Sequence, residues 1–298
     1  MAAVILLPAL FLAALALFAA CWVLTGMLAL PKRASLDHAR ETEIRSGLFG
    51  DYDALPKEAY TVSSFDGYTL HAVFVPAAQE NGRLVILSHG YGYNHLGSVK
   101  YMHMYRRMGY SCILYDARGF GENRPAPCTM GFLEHRDLLC VIDDARRRFG
   151  KNVAIGLHGE SMGSALSLMA IGENPDVRFL VADCGYSDLK TLLAQIIRRD
   201  YHLPAWLLRP ASALCRLRFG YRIEDVSPVR ALKNSRIPVL IIHGEADNFI
   251  VPSHAQTLYD QAPQKKALFF VRGAMHAGAY GRDPQGYAAQ VRAFLDSL

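Results

Sequence analysis

The sequence predicts an α/β protein: a mainly parallel sheet with a leading antiparallel hairpin, helices on both faces, a helical cap insertion and an N-terminal transmembrane helix. Three observations predict it. From residue 84 onward, short apolar runs of strand length alternate with amphipathic helical stretches, the pattern of repeated β-α units. Before them, two strand-like runs flank Asp66-Gly67, a hairpin turn pair. Before those, residues 1–30 carry no charged side chain at all.

The apolar segment comes first. A helix over residues 1–30 reaches about 45 Å, more than the ~30 Å hydrocarbon core of a bilayer. Uninterrupted apolarity on every face over this length speaks against a buried core helix. A cleaved signal peptide is the rival. No Lys or Arg precedes the run, and it is longer than a usual h-region. Phe18-Ala19-Ala20-Cys21 loosely resembles a lipoprotein cleavage box, yet apolarity continues through Trp22, Val23, Leu24 and Leu28. Lys32, Arg33, Arg40 and Arg45 follow the span, so the positive-inside rule puts the remainder in the cytoplasm, with export as the alternative.

Residues 1–31 therefore read as an anchor and residues 32–58 as a polar linker. Residues 59–298 read as one domain of ordinary size. Its expected strands are residues 60–65, 68–75, 84–87, 111–115, 152–157, 179–183, 238–242 and 267–271. Expected helices include 99–108, 134–149, 165–171 and 285–298. The fifty residues between the strand ending at Asp183 and the next one exceed a simple crossover. Two helical stretches there, 188–198 and 204–218, read as a cap over about 186–235. Ordinary sheet-packed helices are the alternative.

Composition excludes some classes. The net charge of +5 is mild, and no basic stripe interleaved with aromatics points to nucleic acid. Cys112, Cys140 and Cys184 fall within predicted elements, as buried thiols do, rather than in a disulfide framework.

Chemistry concentrates at Gly159-Glu160-Ser161-Met162-Gly163. The pattern G-x-S-x-G is a modest signal by itself. Between a strand and a helix it becomes a sharp turn that exposes the Ser161 hydroxyl for attack on a carbonyl, with glycines where side chains would clash. Serine needs a base. His276 follows the last predicted strand, on a loop at a carboxyl end. His89, His158 and His243 each precede a glycine at a strand end and read as turn-stabilising. The base needs a carboxylate to orient it. Asp247, on the loop after the strand 238–242, fits best. Asp183 is the main rival, and Asp116 and Glu245 are weaker. The developing oxyanion needs backbone donors. Met162, directly after the serine, and Tyr91, in His89-Gly90-Tyr91-Gly92, are the candidates.

Leu87-Ser88-His89-Gly90-Tyr91-Gly92, Asp116-Ala117-Arg118-Gly119-Phe120-Gly121, His158-Gly159-Glu160-Ser161-Met162-Gly163, His243-Gly244-Glu245-Ala246-Asp247 and the loop around His276 together resemble the α/β-hydrolase superfamily. Within it the chain is similar to membrane-anchored esterase/lipase-like and serine-aminopeptidase-like hydrolases, over residues 60–298. The resemblance implies hydrolysis of esters, thioesters or amides with no metal and no organic cofactor. It leaves the substrate open. Ester or thioester cleavage through an acyl-enzyme is the leading expectation, on a small-molecule or lipid substrate. An N-terminal peptidase would need an amine-binding acid in the cap, where Asp188, Asp200, Glu224 and Asp225 are available. A catalytically dead binding protein is the third reading. Arg198, Arg199, Arg209, Arg216 and Arg218 could meet anionic lipid headgroups or simply form a solvated face. Asp116 and Arg118 read as loop-holding residues.

Overall fold

Eight strands and eleven α-helices form one sheet with helices on both sides, in a computed structural model that describes residues 2–298, with side chains from Pro8 onward. Helix α1 (Ala2–Ala29) is followed by α2 (Leu36–Arg45), which Ser35 caps by accepting the His38 N–H at 3.2 Å. Strands β1 (Glu58–Ser63) and β2 (Thr69–Val75) make the hairpin. Then come β3 (Arg83–Ser88), α3 (Val99–Arg107), β4 (Ser111–Tyr115), α4 (Glu134–Phe149), β5 (Ala154–Glu160), α5 (Met162–Ile171) and β6 (Phe179–Asp183). Helices α6 (Leu189–Tyr201), α7 (Leu208–Phe219) and α8 (Pro228–Leu232) occupy the long interval. Strand β7 (Val239–Gly244), α9 (Ser253–Gln261), β8 (Lys266–Val271), α10 (Ala279–Arg282) and α11 (Pro284–Asp296) complete the chain.

Spatial strand order is β1-β2-β4-β3-β5-β6-β7-β8. Strand β2 pairs antiparallel with both β1 and β4, and all pairs from β4 to β8 are parallel. The central strands are buried on both faces, which is why they read as unbroken apolar runs rather than alternations. Alternate residues still separate. Leu84 and Ile86 pack with α4, α5 and α9 in one core, and Val85 and Leu87 pack with α3 and α11 in the other.

Two differences from the sequence reading concern the serine turn. Strand β5 runs on to Glu160, and α5 begins at Met162, so no loop separates strand from helix. The parallel register reaches that end, pairing Gly159 with Ala182 and Glu160 with Asp183. Every residue of α5 is buried, so its helical periodicity is invisible in an apolar sequence. In the long interval, α7 packs against α1, whereas α8 packs against α5 and α9 like an ordinary crossover helix. Helix α1 holds a segment, Pro8–Ala29, long and apolar enough to cross a membrane.

Candidate active site

Strand β3 lies between β4 and β5, so the chain reverses its direction of travel across the sheet between β3 and β5. Ligands of open α/β sheets bind at such a switch point, beyond the strand carboxyl ends. The turn after β3 carries Gly90 and Tyr91, and the turn after β5 carries Ser161.

Ser161 has φ 56° and ψ −115°, a conformation that L-residues rarely hold. The surroundings impose it. Its N–H donates to the Asp183 carbonyl at 2.9 Å, and its carbonyl accepts the Ala165 N–H at 3.1 Å. A Cβ on Gly163 would overlap the Ser88 carbonyl, and one on Gly159 would overlap the Gly163 carbonyl, so both positions require glycine. Strand β3, the turn and α5 are thereby packed backbone on backbone.

Three sequence-distant side chains meet at this turn. Ser161 Oγ is 3.0 Å from His276 Nε2, and His276 Nδ1 is 2.7 Å from Asp247 Oδ2. Asp247 Oδ1 accepts the N–H groups of Phe249 and Ile250, each at 2.9 Å. Burial raises the Asp247 pKa, but hydrogen bonds from His243 and His276 outweigh it and hold the carboxyl well below the usual range. It is therefore an anion at neutral pH. An imidazole between a serine and an anion can take the serine proton and be stabilised when charged. Phe249 sets its ring edge-on to His276 at 5.0 Å, limiting the imidazole's swing.

The rival acids face elsewhere. Asp183 Oδ2 accepts the hydroxyls of Tyr101 and Tyr287, both at 2.9 Å. Asp116 accepts the N–H of His95 at 2.8 Å and that of Glu122 at 3.0 Å, and Glu245 is exposed. The strand-end histidines brace loops. His89 accepts the Ala117 N–H at 2.9 Å, and His243 Nε2 donates to the Ile250 carbonyl at 2.7 Å. His158 is fully enclosed, and burial, helped by nearby Lys100, pushes its pKa down to about 3, so it stays neutral.

The N–H groups of Tyr91 and Met162 border the serine, and among the described residues neither donates to a protein acceptor. Gly90 lies close enough that a Cβ there would contact Ser161 Cβ at 3.5 Å. The Tyr91 hydroxyl points the other way, donating to the carbonyls of Met27 at 2.9 Å and Leu28 at 2.8 Å. These are orphan carbonyls of the last turn of α1, so Tyr91 caps that helix.

A cavity of about 180 Å³ has Ser161 and Met162 in its wall. Leu192, Leu193, Ile196 and Ile197 of α6 form one side, and Leu24, Met27 and Leu28 of α1 another. Its surface is almost wholly apolar. Sequence reasoning found neither the part of α1 nor that of Phe249 and Ile250, and nothing local marks them: α1 lies more than 130 residues from Ser161. Among the described residues no cluster has the makings of a metal site.

A serine on a strained strand-to-helix turn, over this sheet and hydrogen-bonded to His276, marks a serine hydrolase of α/β fold. The family profile described as serine aminopeptidase, S33, matches residues 79–212. YqkD of Bacillus subtilis (strain 168) is 32% identical across 87% of this chain and 86% of its own length. The membrane protein YNL320W of Saccharomyces cerevisiae is 25% identical across 82% of this chain and 81% of its own. Among solved structures, the esterase Pf2001 of Pyrococcus furiosus is similar with a TM-score of 0.67 at 19% identity, over 83% of this chain and 93% of that one. The chain belongs to the α/β-hydrolase superfamily of serine hydrolases, in the same family as YqkD.

Proposed function

We propose that this protein is a membrane-anchored hydrolase of carboxylic esters or thioesters, acting through an acyl-enzyme on Ser161. His276 takes the proton from Ser161 Oγ as it attacks the carbonyl, and Asp247 stabilises the resulting imidazolium. The N–H groups of Tyr91 and Met162 hold the tetrahedral oxyanion. His276 then protonates the leaving alcohol or thiol. In the second half it activates water against the acyl-enzyme, returning Ser161 and releasing the acid.

One observation carries the choice of ester over peptide: Ser161 opens into an apolar cavity that offers no acid to a free amine. The four acids available in the cap are engaged elsewhere. Asp188 caps α6 through the Thr191 N–H, Asp200 pairs with Arg199, Glu224 with Ser212 and Lys190, and Asp225 accepts the Arg222 N–H. The anchor reading rests on Pro8–Ala29, and the basic residues that follow it favour a cytoplasmic catalytic domain.

A fluorophosphonate probe tests the chemistry: it labels the wild type and leaves Ser161→Ala unlabelled. p-Nitrophenyl esters are turned over faster than aminoacyl p-nitroanilides. No labelling of the wild type overturns the hydrolase reading, and preference for the anilides replaces it with the peptidase one. A reporter fused after Leu298 is active in the cytoplasm if the orientation is right.

A further inference from the structure

Helix α1 does more than lead into the fold. Its last turns are buried against the catalytic domain at Cys21, Thr25 and Ala29, while its outer face, with Val23 at 57% exposure, is bare. Tyr91, Cys128 and Arg218 fix it there. The Tyr91 hydroxyl caps its last carbonyls, and the Cys128 N–H donates to the Ala29 carbonyl at 2.8 Å. Arg218 of α7 donates to the Trp22 carbonyl and the Thr25 hydroxyl, both at 2.6 Å, and stacks over the Trp22 ring at 3.7 Å. Arg218 is thus committed to the helix rather than to solvent. With the helix so held, Leu24 and Leu28, four residues apart on one face, both line the cavity that holds Ser161.

We propose that the last turns of α1 are the wall that selects the acyl chain, with Leu24 and Leu28 as specificity-determining residues, and that the substrate carries a single acyl chain delivered from the bilayer. The proposal rests on the ester-hydrolase reading. The position of His276 separates the two ends of the substrate. The imidazole must protonate the leaving group, so the alcohol or thiol lies on its side. His276 does not line the cavity, so the acyl chain occupies it. An apolar cavity of ~150 Å³ accommodates benzene, so one of about 180 Å³ takes roughly six to eight carbons. Of its lining residues, Met27, Tyr201 and Phe249 are exposed, and Met27 lies at the end of the helix that would enter the bilayer. Pro8–Ala29 spans 22 residues, about 33 Å, which brings Leu24 and Leu28 to the membrane-water boundary where an acyl chain meets its carbonyl.

The test uses the full chain in detergent micelles with two ester series, p-nitrophenyl esters of lengthening acyl chain and alkyl thioacetates of lengthening alkyl chain, the latter read through the released thiol. In the wild type, kcat/KM rises about fourfold per methylene in the acyl series up to six to eight carbons and then levels, while the alkyl series stays flat. Leu24→Trp and Leu28→Trp lower the hexanoyl-to-acetyl ratio of kcat/KM at least tenfold. Leu24→Ala and Leu28→Ala move the plateau to longer chains and read the same wall should a Trp variant fold poorly. Val23→Trp, on the bare face, matches the wild type. Wild-type chain-length profiles in fluorophosphonate-labelled Trp and Ala variants overturn the proposal, as does a length dependence confined to the alkyl series. Failure of the wild type to label overturns the hydrolase reading itself, a separate result.

Discussion

The Tyr101 hydroxyl lies 2.9 Å from Asp183 Oδ2 and 2.6 Å from Glu160 Oε2, one proton between two carboxyl groups beneath the serine turn. Tyr287 donates to the same Asp183 oxygen, and Lys100 Nζ pairs with Glu160 at 2.6 Å. Burial, with the neighbouring Glu160 charge, pushes the Asp183 pKa up to about 6 despite the two tyrosines. The folded state therefore holds a proton that the unfolded chain releases near pH 4. Stability from this group falls as pH rises through the window from about 4 to about 6. Asp183→Asn removes the titration. Relative to wild type, the variant gains ~1 kcal/mol between pH near 5 and pH near 7.5, read from urea midpoints. A pH-independent difference would contradict this.

Replacing the three residues at the serine turn has unequal costs. Ser161→Ala and His276→Ala each lower kcat at least ~1,000-fold, and combining them adds little, because each alone disables the same step. Asp247→Asn keeps the Phe249 and Ile250 contacts to its carbonyl oxygen but favours the wrong imidazole tautomer, and costs on the order of 10²–10⁴ in kcat. Steady-state kinetics on a p-nitrophenyl ester measure all three. Activity retained in Asp247→Asn and lost in Asp183→Asn would move the acid to Asp183.

Gly163→Ala probes the close approach of α5 to β3. The new methyl group overlaps the Ser88 carbonyl, and the His89 carbonyl lies next to it. Backbone on both sides cannot yield as a flexible side chain would. The expected loss is ~3 kcal/mol or more, a fall of roughly 6–12 °C in Tm, with activity reduced because the Met162 N–H moves. An unchanged Tm would mean that α5 sits farther from β3.

Arg118 forks between two carboxylates, meeting Asp66 at 2.8 Å and Asp137 at 2.7 Å, and stacks over Tyr68. Asp137 is fully buried, so Arg118→Met leaves a carboxylate with little besides the Ser64 hydroxyl. The variant loses about 3–5 kcal/mol by urea denaturation, and adding Asp137→Asn recovers part of it. Additive losses would show that the pair is not coupled. The folded fraction still takes the fluorophosphonate label, since Arg118 holds the loop and touches no reacting atom.

Much of the site was legible because its signals are local. A strand, a tight turn and a helix specify each other within about twenty residues, so Gly159, Ser161 and Gly163 announce their conformation by spacing. Asp247 and His276 were legible because each closes a predicted strand, and strand ends in a parallel sheet converge. The boundaries of β5 and α5 were less so: a helix buried on all sides has no amphipathic pattern, and its first turn, Met162-Gly163-Ser164, resembles loop composition.

The sequence by itself determined the α/β fold, the apolar helix and the serine turn, since periodicity and turn chemistry act between near neighbours. Only the tertiary structure decided that Asp247 rather than Asp183 faces His276, that Arg218 grips α1, and that Leu24 and Leu28 stand beside Ser161. Those contacts join segments up to nearly two hundred residues apart. Their geometry follows from how the sheet, α6, α7 and α1 pack, which no stretch of neighbouring residues encodes.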